Sequence, residues 1–235
     1  DHGLDSSAQY SLNNDPPKTP NLDQLAFNGI VFDNAWATPV CTTTRSTMIT
    51  GKYGVNSGVL NVGDIIPADS VILQRHIKDD PSTSNYVSAV IGKWHLGGSS
   101  PQASHPNDMG VDYYAGNLRG SINDYESWPL TLNGQTNQTT TYHTTKTTDL
   151  AIDWIGAQTE PWFLWLAYVA PHSPFHLPPS SLHTQNLSGT EEDIATNPRP
   201  YYLAAIEAMD TEIGRLLSSL SQEERDNTTI LFVGD

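Results

Sequence analysis

The sequence predicts an α/β protein with a largely parallel central sheet that is flanked by helices on both faces. Two observations support this prediction. Apolar runs typical of strands alternate along the chain with segments of helical periodicity. The run PWFLWLAYVA is apolar at almost every position, as expected for a strand whose two faces are both covered by helices. In such sheets, functional side chains gather in the loops that follow the carboxyl ends of the strands.

The first predicted elements are a helix and a short strand within KTPNLDQLAFNGIVFDNAW. Thr19 suits the N-cap position, Pro20 suits the first helical turn, and Gly29 suits a left-handed helix end. The apolar residues 30–32 have the propensity of a strand. The segment TRSTMITG then predicts a short helix that ends at Gly51.

The middle of the chain contains one buried strand and long loops. SVILQRHIKDD predicts a helix with an apolar stripe, and YVSAVIGK predicts a strand that ends at Gly92. Residues 97–144 are rich in Gly, Ser, Pro, Asn and Thr, which predicts long loops with room for a hairpin.

The second half predicts a helix in TTDLAIDWIGAQ, the strand PWFLWLAYVA and a Pro-rich loop over residues 171–199. The clearest helix is PYYLAAIEAMDTEIGRLLSSLS, in which the apolar side chains share one face. These side chains are Leu203, Ile206, Met209, Ile213, Leu216, Leu217 and Leu220. TTILFVGD predicts a final strand that ends on Asp235.

Composition excludes several classes of protein. The 235 residues carry a formal net charge of −15 with only 11 Lys and Arg, so we expect no nucleic-acid partner, which would require a basic face. No apolar run has the length of a membrane span. The single cysteine cannot form an internal disulfide.

That cysteine lies in a suggestive setting. Cys41 precedes a predicted helix, whose N-terminal amides favour negative charge. Arg45 follows about one turn later, and Lys93 and His95 follow the end of a strand. Taken singly, a lone cysteine is more often a small buried hydrophobic residue. Together, these cations in a strongly acidic protein favour binding of a small anionic group.

Three more candidates lie where strands are expected to end. His172 directly follows the apolar strand. Asp1 and Asp235 each occupy a post-strand loop position, and together they could hold a hard divalent cation, which prefers oxygen ligands. A turn aspartate is the ordinary alternative for either residue.

The ordered motifs TPNLDQLAFNGIVFDNAW, CTTTRSTMITGKY, GKWHLG, YVAPHSPF, AIEAMDTEIGRLL and ILFVGD resemble the sulfatase family of the alkaline-phosphatase-like superfamily. The resemblance runs over residues 1–235. It implies that these residues form a sulfatase catalytic domain, and we expect this domain to be incomplete. The first strand and the C-terminal part of the family fold are not recognisable in the chain.

The resemblance also implies roles. Cys41 matches the cysteine that is oxidised to formylglycine, whose hydrate attacks sulfur with the help of a divalent cation, and Arg45 matches the arginine that steadies it. Lys93 and His172 match sulfate-binding residues. His95 matches the residue that takes a proton when sulfate is released. These matches make Cys41, Arg45, Lys93, His95 and His172 the expected catalytic residues, with Lys93 and His172 also binding substrate.

For the metal, the resemblance implies Asp1, the modified Cys41 and Asp235 as ligands, and calcium as the usual ion. It also implies a formylglycine-generating maturation enzyme as a partner and a periplasmic or extracellular location. Thr43 departs from the family pattern, which usually has Pro or Ala at that position, so conversion of Cys41 is an open question. The expected substrate is a sulfated small molecule or carbohydrate.

Two alternatives remain open on the sequence. The same fold and nucleophile could hydrolyse a phosphonate monoester or a phosphodiester. The chain could instead be a non-catalytic homologue with unconverted Cys41. Substrate specificity is expected in the loops over residues 97–144 and 171–199, and the particular ester cannot be read from them.

Overall fold

The computed structural model describes residues 2–10, 12 and 15–235. Its helices are α1 (Pro20–Asn28), α2 (Cys41–Thr50), α3 (Gly54–Ser57), α4 (Leu73–Asp79), α5 (His105–Asp108), α6 (His143–Gly156), α7 (Glu191–Thr196), α8 (Pro198–Ser219) and α9 (Gln222–Asp226), with a 3₁₀ turn at Leu4–Ser6. Its strands are β1 (Val87–Gly92), β2 (Tyr113–Gly116), β3 (Trp128–Leu132), β4 (Gln135–Thr139) and β5 (Trp162–Ala167).

The chain forms two compact units. The sheet unit comprises Ala37–Val169 together with Asp235, and it contains every strand named above. The helical unit comprises Asp1–Trp36 and Ala170–Gly234, and it contains α1, α7, α8 and α9. No helix among the described residues is long and apolar enough to cross a membrane.

Within the described residues, the strands form one mixed sheet in the order β4-β3-β2-β1-β5. Strand β1 pairs in parallel with both β2 and β5, whereas β3 joins β2 and β4 in antiparallel ladders. The parallel part confirms the predicted α/β class. The β3–β4 pair is the hairpin that the sequence allowed within the loop-rich residues 97–144.

Helices cover both faces of β1 and β2, whereas β5, the last strand of this sheet, is mostly half-buried, so its continuous apolar run does not reflect the full cover expected from the sequence. Val90 and Tyr114 are register partners on one face, and they belong to a buried cluster that also contains Ile49 of α2 and Ile72 beside α4. On the other face, Tyr113 of β2 stacks on Trp154 of α6 with ring centroids 6.3 Å apart. Because successive strand residues point to opposite faces, α6 lies on the side away from that cluster.

The parallel strands β1 and β2 end in glycines that have no room for a side chain. A Cβ atom added at Gly92 would lie 2.0 Å from the carbonyl oxygen of Ala167 in β5, and one added at Gly116 would lie 1.9 Å from the carbonyl oxygen of Gly92. Gly92 also has a φ of +106°, which L side chains rarely adopt. Glycine at these positions lets β1 end abruptly and lets the next residues turn across the sheet edge.

In the helical unit, buried acids of α8 hold neighbouring segments. Asp210 accepts hydrogen bonds from the backbone amides of Asn21 and Leu22 at 3.2 and 2.8 Å, so it satisfies the free N-terminal amides of α1. Thr19 does occupy the predicted N-cap position, but its side chain makes no capping bond and donates to Asp23 instead. The predicted apolar face of α8 is largely buried, which confirms that helix.

Three local predictions are wrong. Gly29 ends α1 with a φ of −125°, which is not left-handed. Residues 30–32 and 228–235 form no strand, although their propensity is that of strands. Their apolar side chains are exposed, with Ile30 at 81% and Leu231 at 80% of full exposure. Strand propensity reports how a residue fits a half-buried sheet, so it predicts a strand only where a neighbouring strand is present.

Candidate functional site

The site is built around the first turn of α2, in the sheet unit. Val40 is the N-cap residue in extended conformation, and Cys41 is the first helical residue and is half-buried. The helix ends at Gly51 with a φ of +66°, as its sequence predicts. Cys41 therefore lies where the unpaired amides of the helix N-terminus give a favourable setting for negative charge.

Hydrogen bonds and a ring contact hold the guanidinium group of Arg45 in place. Its Nε donates to the carbonyl oxygen of Trp94 at 3.0 Å, and its Nη2 donates to that of Lys93. Its Cζ lies 4.9 Å from the ring centroid of Trp165. These contacts tie α2 to the segment that follows β1, and they hold the planar fork in one orientation.

Arg45, Lys93 and Asp235 form a buried charge cluster. The Oδ2 atom of Asp235 lies 3.2 Å from Nη1 of Arg45 and 3.3 Å from Nζ of Lys93. The side chains of Arg45 and Lys93 are 4% and 3% exposed. Burial alone would raise the pKa of the Asp235 carboxyl, but attraction to Lys93 and Arg45 outweighs it and holds that pKa well below its usual range. The cluster has one more positive charge than negative.

His95 faces the cysteine. Its Nδ1 lies 3.3 Å from Sγ of Cys41, and Oγ1 of Thr42 lies 3.3 Å from both ring nitrogens. The residue has a φ of +54°, so the segment after β1 is not the extended backbone that would make Lys93 and His95 point the same way by alternation. The turn nevertheless brings Lys93 to the charge cluster and His95 to the cysteine.

Thr43 has a local role in the structure. It is 5% exposed, and its hydroxyl donates to the carbonyl oxygen of Val40 at 2.7 Å. This hydroxyl therefore satisfies a carbonyl of the residue that precedes Cys41. Pro and Ala, the usual residues of the resembling family at this position, offer no such bond.

The described residues do not make up a cation site by themselves. Among them, no group of three or more His, Cys, Asp or Glu side chains is placed to hold a metal ion. The carboxylate of Asp235 is paired with two cationic side chains, whereas a hard divalent cation takes six to eight oxygen ligands. Asp1, the other predicted carboxylate ligand, lies outside the described residues.

The structure thus brings together Cys41, Arg45, Lys93, His95 and Asp235 within the sheet unit. His172 belongs to the helical unit, where its Nδ1 lies 2.8 Å from the carbonyl oxygen of Ser173.

Sequence reasoning missed three contacts of this site. Thr42 and Gly120 both touch the His95 imidazole, and Trp165 stacks on Arg45. A Cβ atom at Gly120 would lie 2.2 Å from Cε1 of His95. The sequence carries no local signal for these contacts, because each depends on the path of a loop or on strand register.

The fold and the cluster define an α/β protein in which a helix start and a strand end together present a thiol, an imidazole and buried cations suited to an anion. The sequence profile of the family described as Sulfatase matches residues 4–235. The chain belongs to the sulfatase family, within the alkaline-phosphatase-like superfamily.

Known proteins agree with this assignment. The chain is 28% identical over 258 residues to N-acetylgalactosamine-6-sulfatase of Homo sapiens. This match covers 93% of the chain and 45% of the relative. It is 26% identical over 264 residues to the sulfatase YidJ of Escherichia coli, with 94% and 52% covered. The crystal structure of Ps i-CgsB in complex with k-i-k-neocarrahexaose superposes with a TM-score of 0.68 at 26% identity, covering 89% of this chain and 50% of that one. The chain spans about half the length of the curated relatives it matches.

Proposed function

We propose that this chain supplies the catalytic centre of a sulfatase that hydrolyses a sulfate monoester, with a formylglycine made from Cys41 as the nucleophile. The catalytic residues in this proposal are Cys41, Arg45, Lys93, His95 and His172. The observation that carries the proposal is the group of buried cations beside the cysteine.

The charge of that group suits a sulfate monoester. Before any cation binds, Arg45 and Lys93 contribute two positive charges and Asp235 one negative charge, and this net positive charge attracts the single negative charge of the ester group. In a buried setting, such fixed charges need little reorganisation when negative charge develops on the reacting group. Lys93 would bind a sulfate oxygen, and Arg45 would orient the side chain at position 41.

His95 is suited to move a proton at position 41. Its Nδ1 is 3.3 Å from Sγ of Cys41, within reach of an oxygen that replaces the thiol. Formylglycine supplies, in its hydrated form, a hydroxyl nucleophile and a second hydroxyl through which sulfate can be released. His172 would bind the sulfate or donate a proton to the leaving alcohol.

We further propose a divalent cation, calcium by family resemblance, with Asp1, the modified residue 41 and Asp235 among its ligands. Because the described residues do not form such a site alone, additional ligands are required. No step of the proposed mechanism is derived from the cation.

The proposed substrate class is a sulfated carbohydrate. N-acetylgalactosamine-6-sulfatase is named for a sugar sulfate, and the Ps i-CgsB crystal structure contains k-i-k-neocarrahexaose. The proposal also includes a formylglycine-generating maturation enzyme as a partner and a periplasmic or extracellular location. It treats residues 1–235 as belonging to a sulfatase catalytic domain.

The first experiment is the mass of the tryptic peptide over residues 19–45, taken from full-length protein made in its native host. We expect the mass of a formyl group in place of CH₂SH at position 41. An unmodified cysteine would refute the formylglycine proposal and would favour a non-catalytic homologue.

The second experiment compares ester classes. Full-length protein is assayed for kcat/KM on a sulfated oligosaccharide, on an aryl sulfate and on a phosphonate monoester, with Cys41→Ala as the matched control. We expect sulfate release from the sulfate esters, and we expect it to be lost in Cys41→Ala. Faster turnover of the phosphonate would assign the chain to the alternative ester class.

A further inference from the structure

Residues 117–120, which follow β2, form backbone hydrogen bonds with residues 94–95, which follow β1. The amide of Trp94 donates to the carbonyl oxygen of Asn117 at 3.0 Å, and the amide of His95 donates to that of Leu118 at 3.0 Å. Gly120 then lies against the His95 imidazole, so closely that a methyl group would not fit. One short stretch, residues 117–120, therefore sets both the backbone and one ring contact of His95.

His95 needs such support. Its φ of +54° is in the left-handed region, which is unfavourable for a residue with a Cβ atom. Strained backbone of this kind persists only where the surrounding structure over-determines it. The carbonyl oxygen of Leu118 and the close approach of Gly120 are contacts that impose this conformation.

Asn117 gives residues 117–120 their shape. Its side chain is 2% exposed, and its Nδ2 donates to the carbonyl oxygen of Arg119 at 2.8 Å, which bends the backbone two residues further on. Its Oδ1 is left to face Nε2 of His143 at 3.0 Å. Since an amide oxygen only accepts, we assign the Nε2 proton of His143 as the donor.

Several contacts hold His143 in place. It is fully buried at the start of α6, and its ring centroid lies 4.3 Å from that of Trp128 in β3. Its backbone amide donates to the carbonyl oxygen of Tyr125 at 2.8 Å. A rigid helix start therefore anchors the Asn117 side chain.

We infer that Asn117 is a positioning residue for the reaction: anchored by His143, it fixes residues 117–120 and thereby holds the His95 imidazole against position 41. This inference rests on the proposed function and adds residues to it that do not touch the substrate. The Asn117 side chain makes no contact with the charge cluster that would bind sulfate, and Asn117→Ala keeps the backbone carbonyl that accepts from Trp94, so loss of this side chain should affect turnover more than substrate affinity.

The test measures kcat and KM of full-length protein for a sulfate ester. In Asn117→Ala and His143→Leu we expect kcat to fall roughly 10- to 100-fold, the order found when a catalytic group moves by about 1 Å. We expect KM to stay within about twofold. His143→Gln, whose amide can still donate to Asn117, should recover most of the lost turnover.

A matched control separates positioning from simple destabilisation. Thr131 in β3 is 1% exposed, pairs with Gly116 in the sheet, and has its hydroxyl 2.8 Å from that of Thr136, so Thr131→Val removes a partly buried side-chain hydrogen bond close to residues 117–120 without changing them. We expect this variant to lose stability, measured by urea unfolding beside Asn117→Ala, and to keep its kcat. Equal losses of kcat in Thr131→Val and Asn117→Ala would overturn the inference.

A second readout does not depend on activity. In ¹⁵N-histidine-labelled protein, the ring resonances of His95, assigned through His95→Gln, should shift in Asn117→Ala and stay in place in Thr131→Val. If the parent protein releases no sulfate, the proposed function is refuted, but the positioning role is not. Unmoved His95 resonances in Asn117→Ala would overturn the positioning role whether or not the parent is active.

Discussion

Glu207 of α8 is a buried acid on which the stability of the helical unit should depend. Its side chain is 2% exposed and accepts four hydrogen bonds. Oε1 accepts from the Lys18 amide at 3.1 Å and from Nε2 of Gln185 at 2.7 Å. Oε2 accepts from the amide and the hydroxyl of Thr184 at 2.7 and 2.9 Å. One carboxylate therefore fastens two loop segments to the longest helix of the unit.

Glu207→Gln would remove the charge and replace one acceptor oxygen with an NH₂ group that faces two donors. Hydrogen bonds to a charged group contribute roughly 1.5–3 kcal/mol each. The two hydrogen bonds to the replaced oxygen are lost. If the NH₂ group faces Thr184, the Thr184 hydroxyl can rotate and accept from it, which relieves part of the donor–donor repulsion. We therefore expect the free energy of unfolding to fall by about 3 kcal/mol, a large share of the roughly 5–15 kcal/mol typical of proteins.

The same residue predicts a pH dependence. Burial raises the pKa of Glu207, but the hydrogen bonds from Thr184, Gln185 and Lys18 outweigh burial and lower that pKa below its ordinary value. A carboxyl whose pKa is lower in the folded state stabilises the protein above its unfolded pKa, about 4.3. That contribution is lost as the pH falls through the folded pKa. Stability should therefore decline below about pH 4.5, and less steeply in Glu207→Gln.

The assay is urea unfolding of full-length protein at neutral pH and at a series of acidic pH values. The control is Glu160→Gln, which removes the same charge from an exposed side chain and should change stability by less than about 0.5 kcal/mol. A loss of under about 1 kcal/mol in Glu207→Gln, or an unchanged acid slope, would refute the reasoning.

Three further predictions concern the site. Gly120→Ala should displace the His95 ring and lower kcat roughly 100-fold, because the new Cβ would lie 2.2 Å from Cε1; a near-normal kcat, measured as sulfate release, would contradict it. In metal-free protein, Asp235→Asn should cost about 3–5 kcal/mol in urea unfolding, because it leaves Arg45 and Lys93 buried without their carboxylate; adding Lys93→Met should restore part of the loss. Chelation of divalent cations should abolish sulfate release by the full-length enzyme, and added calcium should restore it.

Much of the fold could be predicted because its strongest signals are local. The continuous apolar run of β5 and the one-sided stripe of α8 each match the observed element. The same reasoning failed at residues 30–32 and 228–235, whose strand propensity is real but which have no strand assigned. A sheet ladder needs a partner, and local composition does not contain that information.

The site was predictable to the extent that its residues follow strand ends or begin a helix. Cys41, at a helix start, and His95, after a strand, meet for that reason. Asn117 and Gly120 were predicted only as part of a loop-rich region. Their contribution acts through backbone carbonyl oxygens and close packing, which depend on where a loop returns rather than on residue type.

The glycines at the strand ends have a consequence for how the substrate range of this protein can change. Added methyl groups at Gly92, Gly116 or Gly120 would meet Ala167, the Gly92 carbonyl or the His95 ring at 2.2 Å or less. These three glycine positions therefore do not tolerate single substitutions, since even an alanine side chain would displace a strand or the His95 ring. We expect new substrates to be accommodated by the loops in which the sequence predicts specificity, over residues 97–144 and 171–199. A library confined to those loops should yield folded variants with altered specificity, whereas one directed at the strand ends should yield mostly inactive protein.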